Sequence, residues 1–225
     1  QDIRIDDGDR QYSTLLFHQN MQKVGIVSAE GPIVIFGAEF VPFCSRVFFP
    51  TEIPGSHASP EDLDDGELAM LSNSIHEAAS TEQRVGLLDD FLLKRLSQFP
   101  EGDINMERLS DVFDNIVPTE GSSSHPPHCK NEFSPADLAS TACLSQKQFT
   151  RVFNKYVGMN PKSYLRLLRF HKVLMEIQTA SDSSSLTDIA WNCGYYDFAH
   201  MTSDFRDICG FAPSELIRQG EELTE

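Results

Sequence analysis

"DLASTACLSQKQFTRVFNKYVGMNP" at residues 137–161 and "DIAWNCGYYDFAHMTSDFRDICGFAP" at residues 188–213 are two copies of one pattern. The pairs Phe149/Met201, Phe153/Phe205, Gly158/Gly210 and Pro161/Pro213 recur at an offset of 52, and Ser145 and Asp197 supply a helix-capping residue in each copy. Upstream, Asp137-Leu138-Ala139 matches Asp188-Ile189-Ala190 at an offset of 51, so the second copy carries one extra residue in its turn.

Each copy reads as a short helix, a tight turn and a capped second helix, which is the helix-turn-helix pattern. In the first, a helix over 135–142 meets a turn at Cys143-Leu144, and Ser145 caps a helix running to about Val157. Phe149, Val152, Phe153 and Tyr156 form an i, i+3, i+4, i+7 stripe that should face the core, leaving Lys147, Thr150, Arg151, Asn154 and Lys155 outside. Gly158 suits the left-handed position after a helix, and Pro161 suits the first turn of the next helix. In the second, Ser185 or Thr187 starts a helix to about Asn192, "CGYY" makes the turn, and Asp197 caps a helix to about Cys209. Phe198, Met201, Phe205 and Ile208 share one side of it, opposite Ala199, His200, Ser203 and Arg206. The boundaries are about 134–158 and 185–210 for the two units, with a linker helix at about 161–178. A linker of about 18 residues is near 27 Å long, so two such helices can lie roughly one DNA turn, about 34 Å, apart.

Charge points the same way. The stretch 145–172 holds seven Lys or Arg and no Asp or Glu, in a chain of 225 residues with a formal net charge of −16. A polyanion would meet this segment far more readily than residues 1–130, which carry most of the acidic surplus. Arg151 is placed to contact a guanine edge bidentately, and Lys147 to contact a base or phosphate. Arg166, Arg169 and Lys172 are candidates for phosphate contact or for a solvated face. Trp191, the sole tryptophan, is expected to pack between the second unit and the linker helix.

These residues resemble the AraC/XylS family of bacterial transcription regulators, whose tandem units are joined by a long helix; "GYYDFAHMTSDFRDICGFAPSE" is the second unit's signature. The likeness covers about 134–218, with 104–116 as the first of seven helices. It implies an all-α DNA-binding domain over 104–220 in which the first unit reads most bases. Carried over residue by residue, the groove-facing positions are Gln146, Lys147, Thr150 and Arg151, with Lys155 near phosphate, then Phe198, Ala199, His200 and Ser203. Arg166, Arg169 and Arg206 are further phosphate candidates. Two departures stand out: Ser203 occupies a position where the family often has Arg or Lys, and Cys143 occupies one where the first turn usually has Gly.

Ahead of this lies a different composition. Residues 12–50 alternate apolar stretches with Gly and Pro, as short strands do. From residue 59 the period changes to helical, with Val85, Leu88, Phe91, Leu92 and Leu96 on one stripe, and Met106, Leu109, Val112, Phe113 and Ile116 on another. "GPIVIFGAEFVPFCSRVFF" followed by helices is similar to a shortened cupin-like sensor region. The expected fold class is therefore α+β: a small β-rich, partly cupin-like sensor or regulatory domain with C-terminal helices over 1–100, then the all-α domain.

Several functions are excluded or set aside. No apolar run approaches the roughly 18–20 residues of a membrane span. The opening "QDIRIDDGDR" has no secretory character, so a cytoplasmic location is expected. Five scattered cysteines without a CxxC pair make neither a disulfide framework nor a zinc module, and no cofactor is implied. In "HPPHC", His125, His128 and Cys129 match no standard metal spacing and read as part of a solvated linker over 117–133. No nucleophile–base set or phosphate loop suggests an enzyme. The expected function is sequence-specific binding of double-stranded promoter DNA, with an unknown small-molecule effector, RNA polymerase contact and a homodimer as possible partners. The alternative is a protein-interaction module with vestigial DNA binding.

Overall fold

The computed structural model describes residues 3–5, 11–12, 17–18, 27–28, 36–49, 57–58, 60, 63–100, 102–116, 133–179 and 185–222. The chain divides into two compact units, with the main division between Met106 and Glu107.

In the first unit five strands are described, each of two or three residues: β1 Ile3–Ile5, β2 Gln11–Tyr12, β3 Phe17–His18, β4 Val27–Ser28 and β5 His57–Ala58. They form antiparallel ladders in the orders β2-β1-β4 and β3-β5, with Ile3 opposite Tyr12, Arg4 opposite Ser28 and Phe17 opposite Ala58. Helices α1 Ser45–Phe48, α2 Gly66–Glu77 and α3 Thr81–Gln98 make up the rest. Asp65 caps α2 by accepting from the N–H groups of Glu67 and Leu68, and its other oxygen takes a 2.6 Å bond from Arg95 of α3. Leu63, Leu68, Leu71 and Phe91 are buried between α2 and α3, with Phe49, Ile75 and Leu88 packed around them.

This overturns the expected β-rich, cupin-like domain and the α+β class built on it. Helix dominates the described residues, the strands span only two or three residues each, and no cupin-like sheet stands among them. The apolar run read as strands over residues 36–49 is irregular backbone leading into α1. Pro42 has no N–H for a ladder, and the Cys44 N–H turns back to the Val41 carbonyl at 2.8 Å. The aromatic side chains cluster locally instead, with the Phe40 ring 4.9 Å from Phe48 and 5.9 Å from Phe49. Apolar content alone did not distinguish a strand from such a cluster. The other residues of the strand reading, apart from the short ladders, lie outside the described residues, as do His125, His128 and Cys129.

The second unit is helical: α4 Ile104–Ile116, α5 Pro135–Thr141, α6 Gln146–Val157, α7 Pro161–Thr179, α8 Leu186–Asn192, α9 Phe198–Cys209 and α10 Pro213–Glu222. Its core has two centres. Around α6, Phe149 and Phe153 are fully buried with their rings 5.3 Å apart. Phe153 stacks on Phe113 of α4 at 5.9 Å and meets Tyr164 of α7 edge-on at 5.6 Å. Around α9, Met201, Phe205 and Ile208 pack with Ile189, Ala190 and Cys193 of the α8 region and with Phe170 and Val173 of α7. The linker helix α7 therefore contributes Tyr164 to one core and Phe170 to the other, and its 19 residues extend about 28 Å.

Candidate nucleic-acid interface

The repeat is reproduced in hydrogen bonds as well as in sequence. Ser134 caps α5 by accepting from the Asp137 N–H at 3.2 Å, while Asp137 accepts from the Ser134 N–H at 2.8 Å. Fifty-one positions on, the Ser185 hydroxyl caps α8 by accepting from the Asp188 N–H at 3.1 Å. In the first turn the Cys143 N–H donates to Ser140 and the Leu144 N–H to Ala139; in the second, Gly194 donates to Trp191 and Tyr195 to Ala190. The offset becomes 52 at the next cap, where the Ser145 hydroxyl accepts from Gln148 N–H and the Asp197 carboxylate from His200 N–H at 2.7 Å. Tyr196 is thus the additional residue. It is 84% exposed, because an inserted residue with no counterpart has no core position to fill.

Helix α6 presents Gln146, Lys147, Thr150, Arg151, Asn154 and Lys155 as exposed residues, while Phe149, Phe153, Tyr156 and Val157 are buried. The strong segregation follows from the i, i+4, i+7 spacing of the aromatic residues, which leaves the cations no inward position. The Gly158 backbone is left-handed at φ 81°, ending the helix where the sequence placed its stop. The basic face is therefore carried on a helix that is capped at its start and anchored on two aromatic rings.

Helix α9 exposes Phe198, Ala199, His200, Ser203 and Arg206, the candidates of the second unit. Its character differs, for Asp204 and Asp207 also lie on it. Arg166 of α7 reaches Asp204 through Nε at 2.7 Å and Asp207 through a terminal nitrogen at 2.7 Å. Burial pulls the Arg166 pKa down, but the bonds to Asp204 and Asp207 outweigh it and hold the guanidinium more firmly protonated than usual. Arg169, on the next turn, lies 5.5 Å over the Tyr195 ring. Lys172 donates to the Asn192 carbonyl at 2.7 Å, closing the C-terminus of α8. All three cations that were phosphate candidates on the linker helix thus hold contacts to the second unit.

Two departures from expectation concern aromatic and acidic residues. Trp191 is 74% exposed at the end of α8 and does not fill the expected place against the linker helix. The Arg166 partners were missed, although the signal was present: Asp204 sits between Met201 and Phe205 on the stripe, so the helix carries it toward the core. The buried Cys193 thiol is pushed up to about 11 by burial, which keeps it unreactive. Among the described residues no group of His, Cys, Asp and Glu is arranged to hold a metal ion, and no helix is long and apolar enough to cross a membrane.

Comparison with known proteins places this geometry. The family model described as "Helix-turn-helix domain" matches residues 138–219. The HTH-type transcriptional activator RhaS of Escherichia fergusonii is 34% identical over 87 residues, covering 39% of this chain and 30% of that protein. The XylDLEGF operon transcriptional activator of Pseudomonas putida is 24% identical over 169 residues, covering 69% of this chain and 49% of that protein. Among solved structures, the DNA-binding domain of AdpA in complex with a target DNA aligns at TM-score 0.40 and 20% identity, over 52% of this chain and 93% of that one. The chain spans half or less of the length of these two curated relatives. The matched stretch, which runs from α5 into α10 and holds both turns, is a helix-turn-helix domain of the AraC type.

Proposed function

We propose that this protein is a transcription regulator that binds double-stranded promoter DNA in a sequence-specific way, with α6 as its principal reading helix. The observation that carries this reading is the outer face of α6, where Lys147, Arg151 and Lys155 are exposed beside Gln146 and Thr150 with no carboxylate on the same helix. Such a face joins cations for phosphate to side chains that hydrogen-bond base edges. Helix α9 offers Phe198, Ala199, His200 and Ser203 to a neighbouring stretch of groove, with less charge and correspondingly less affinity. Arg206 is the one phosphate candidate on that helix.

The relatives named as transcriptional activators support the same role. On this reading residues 1–100 serve as a regulatory domain that responds to a small-molecule effector, and 104–220 as the DNA-binding domain; a homodimer and contact with RNA polymerase complete the scheme. Selection of duplexes from a random library by the full chain, followed by affinity measurements across salt concentrations, tests the function. An enriched sequence bound with a steep salt dependence is expected. Equal affinity for enriched and random duplexes would refute it. A thermal-shift screen of small metabolites on the intact chain tests the regulatory domain.

A further inference from the structure

We propose that Arg166 is a positioning residue for the second reading helix: it clamps α9 to the linker helix through Asp204 and Asp207 and does not contact DNA phosphate. The inference rests on the DNA-binding reading above.

Asp204 is 6% exposed, and it is a buried acidic residue on a helix otherwise packed through Met201, Phe205 and Ile208. A carboxylate so placed is costly unless it is paired and hydrogen-bonded. The Arg166 guanidinium meets this need at one of the two carboxylate oxygens, with a 2.7 Å bond from Nε to Oδ1, while its terminal nitrogen reaches Asp207 on the solvent side at the same distance. Asp204 and Asp207 are three residues apart, so they stand on consecutive turns of α9 and one planar fork spans both. Such a two-point contact fixes rotation of α9 about its own axis, which a single hydrophobic contact does not. That rotation decides whether His200 and Ser203 point at a groove.

Arg166 would also be a poor phosphate ligand where it stands. Two carboxylates already neutralise it, and a phosphate approaching the same nitrogen atoms would be repelled by Asp207, whose side chain is 64% exposed. An arginine that looks, from sequence alone, like part of a basic run thus serves a different purpose from Lys147 or Arg151.

The two roles predict opposite signs for one substitution, measured with the full chain on its own enriched duplex. If Arg166 positions α9, Asp204→Asn weakens binding about tenfold, equivalent to about 1.4 kcal/mol. Arg166→Gln then weakens it to a similar extent, and the double variant is no worse than either single one. Arg166→Lys, which keeps a charge that can reach Asp204, restores part of the loss. If Arg166 contacts phosphate, Asp204→Asn frees the cation and tightens binding only while Arg166 is present; that tightening, or two separate losses that add in the double variant, overturns the proposal. Asp207→Asn, at an exposed position that leaves the core intact, keeps the test sound should the Asp204 variant unfold: a smaller loss of the same sign is expected, and unchanged or tighter binding refutes the clamp. A wild-type chain that enriches no duplex overturns the DNA-binding reading itself, an outcome distinct from a binding chain with additive variants.

Discussion

Cys143 and Gly194 occupy the same place in two copies of one turn, at φ 52° and φ 82°. A side chain at positive φ crowds its own carbonyl, at a cost of about 1–2 kcal/mol, whereas glycine is free of it. Cys143→Gly is therefore expected to stabilise the helical domain that holds both copies by about 1 kcal/mol once the greater freedom of glycine in the unfolded chain is deducted. Chemical denaturation of the full chain, followed by a probe in this domain, checks it. Gly194→Ala should shift the midpoint in the opposite direction, and a Cys143→Gly variant of lower stability would show that the thiol makes contacts that outweigh the strain.

The capping box of α5 makes stability pH-dependent. The Ser134 hydroxyl, then its backbone N–H, donate to the Asp137 carboxylate and hold its pKa below the ordinary 3.8. A depressed carboxylate contributes stability that is present above the unfolded-state value and is lost as the pH falls through the folded-state value. Ser134→Ala removes the larger of the two donors together with the acceptor for the Asp137 N–H. The variant should melt earlier than wild type at neutral pH, and the difference should shrink as the pH is lowered below about 4. Melting curves between about pH 3 and 7 measure both; a difference that grows toward acid would refute the assignment.

What the sequence revealed depended on whether a residue's role was periodic. The aromatic stripes of α6 and α9, the glycine stops and the caps at Ser145 and Asp197 are local rules, and each stands where its spacing placed it, whereas the Ser134 cap of α5 was not read from the sequence. The turn residue Cys143 stood out only through the family resemblance, in which that position usually has Gly; the turn hydrogen bonds are what set it against Gly194. The run before α1 was not, since the same apolar composition serves a strand or a cluster such as Phe40, Phe48 and Phe49, and Pro42 was a weak signal against the ladder. The roles of Arg166 and Lys172 were hidden for another reason. Their partners, Asp204, Asp207 and Asn192, lie 20 or more positions away, and a charge run has no periodicity that names a distant partner.

Arg151 and Lys147 should separate in their effects on DNA. Both are exposed on α6, four residues apart and therefore on one face. Arg151→Ala is expected to cost about 1–3 kcal/mol on the enriched duplex and to relax preference at one base pair, as loss of a bidentate guanine contact does. Lys147→Ala, read as the phosphate contact, should weaken all duplexes alike and lower the slope of log affinity against log salt by about 0.9. Fluorescence anisotropy titrations on matched and singly mismatched duplexes distinguish them. An Arg151→Ala variant that loses affinity equally on every sequence would remove that residue from base reading.

Ser203→Arg tests whether α9 enters a groove at all. Ser203 is exposed, four residues after Ala199 and three after His200, so a longer cation there extends from the face that the second unit would turn to DNA. The new guanidinium has one competing partner, because Asp207 lies one turn further along the helix. An exposed pair at that spacing is worth only about 0.3–0.5 kcal/mol, and Asp207 is already engaged by Arg166 at 2.7 Å. A phosphate or base contact is worth more, so it should prevail over the intrahelical pair. The variant is therefore expected to bind the enriched duplex more tightly and to steepen the salt slope by about 0.9. Repeating the duplex selection with the variant should then reveal a stronger sequence preference on the side of the site read by α9. Unchanged affinity and slope, with the fold intact by melting, would mean that α9 lies away from the duplex and that α6 alone makes the contact.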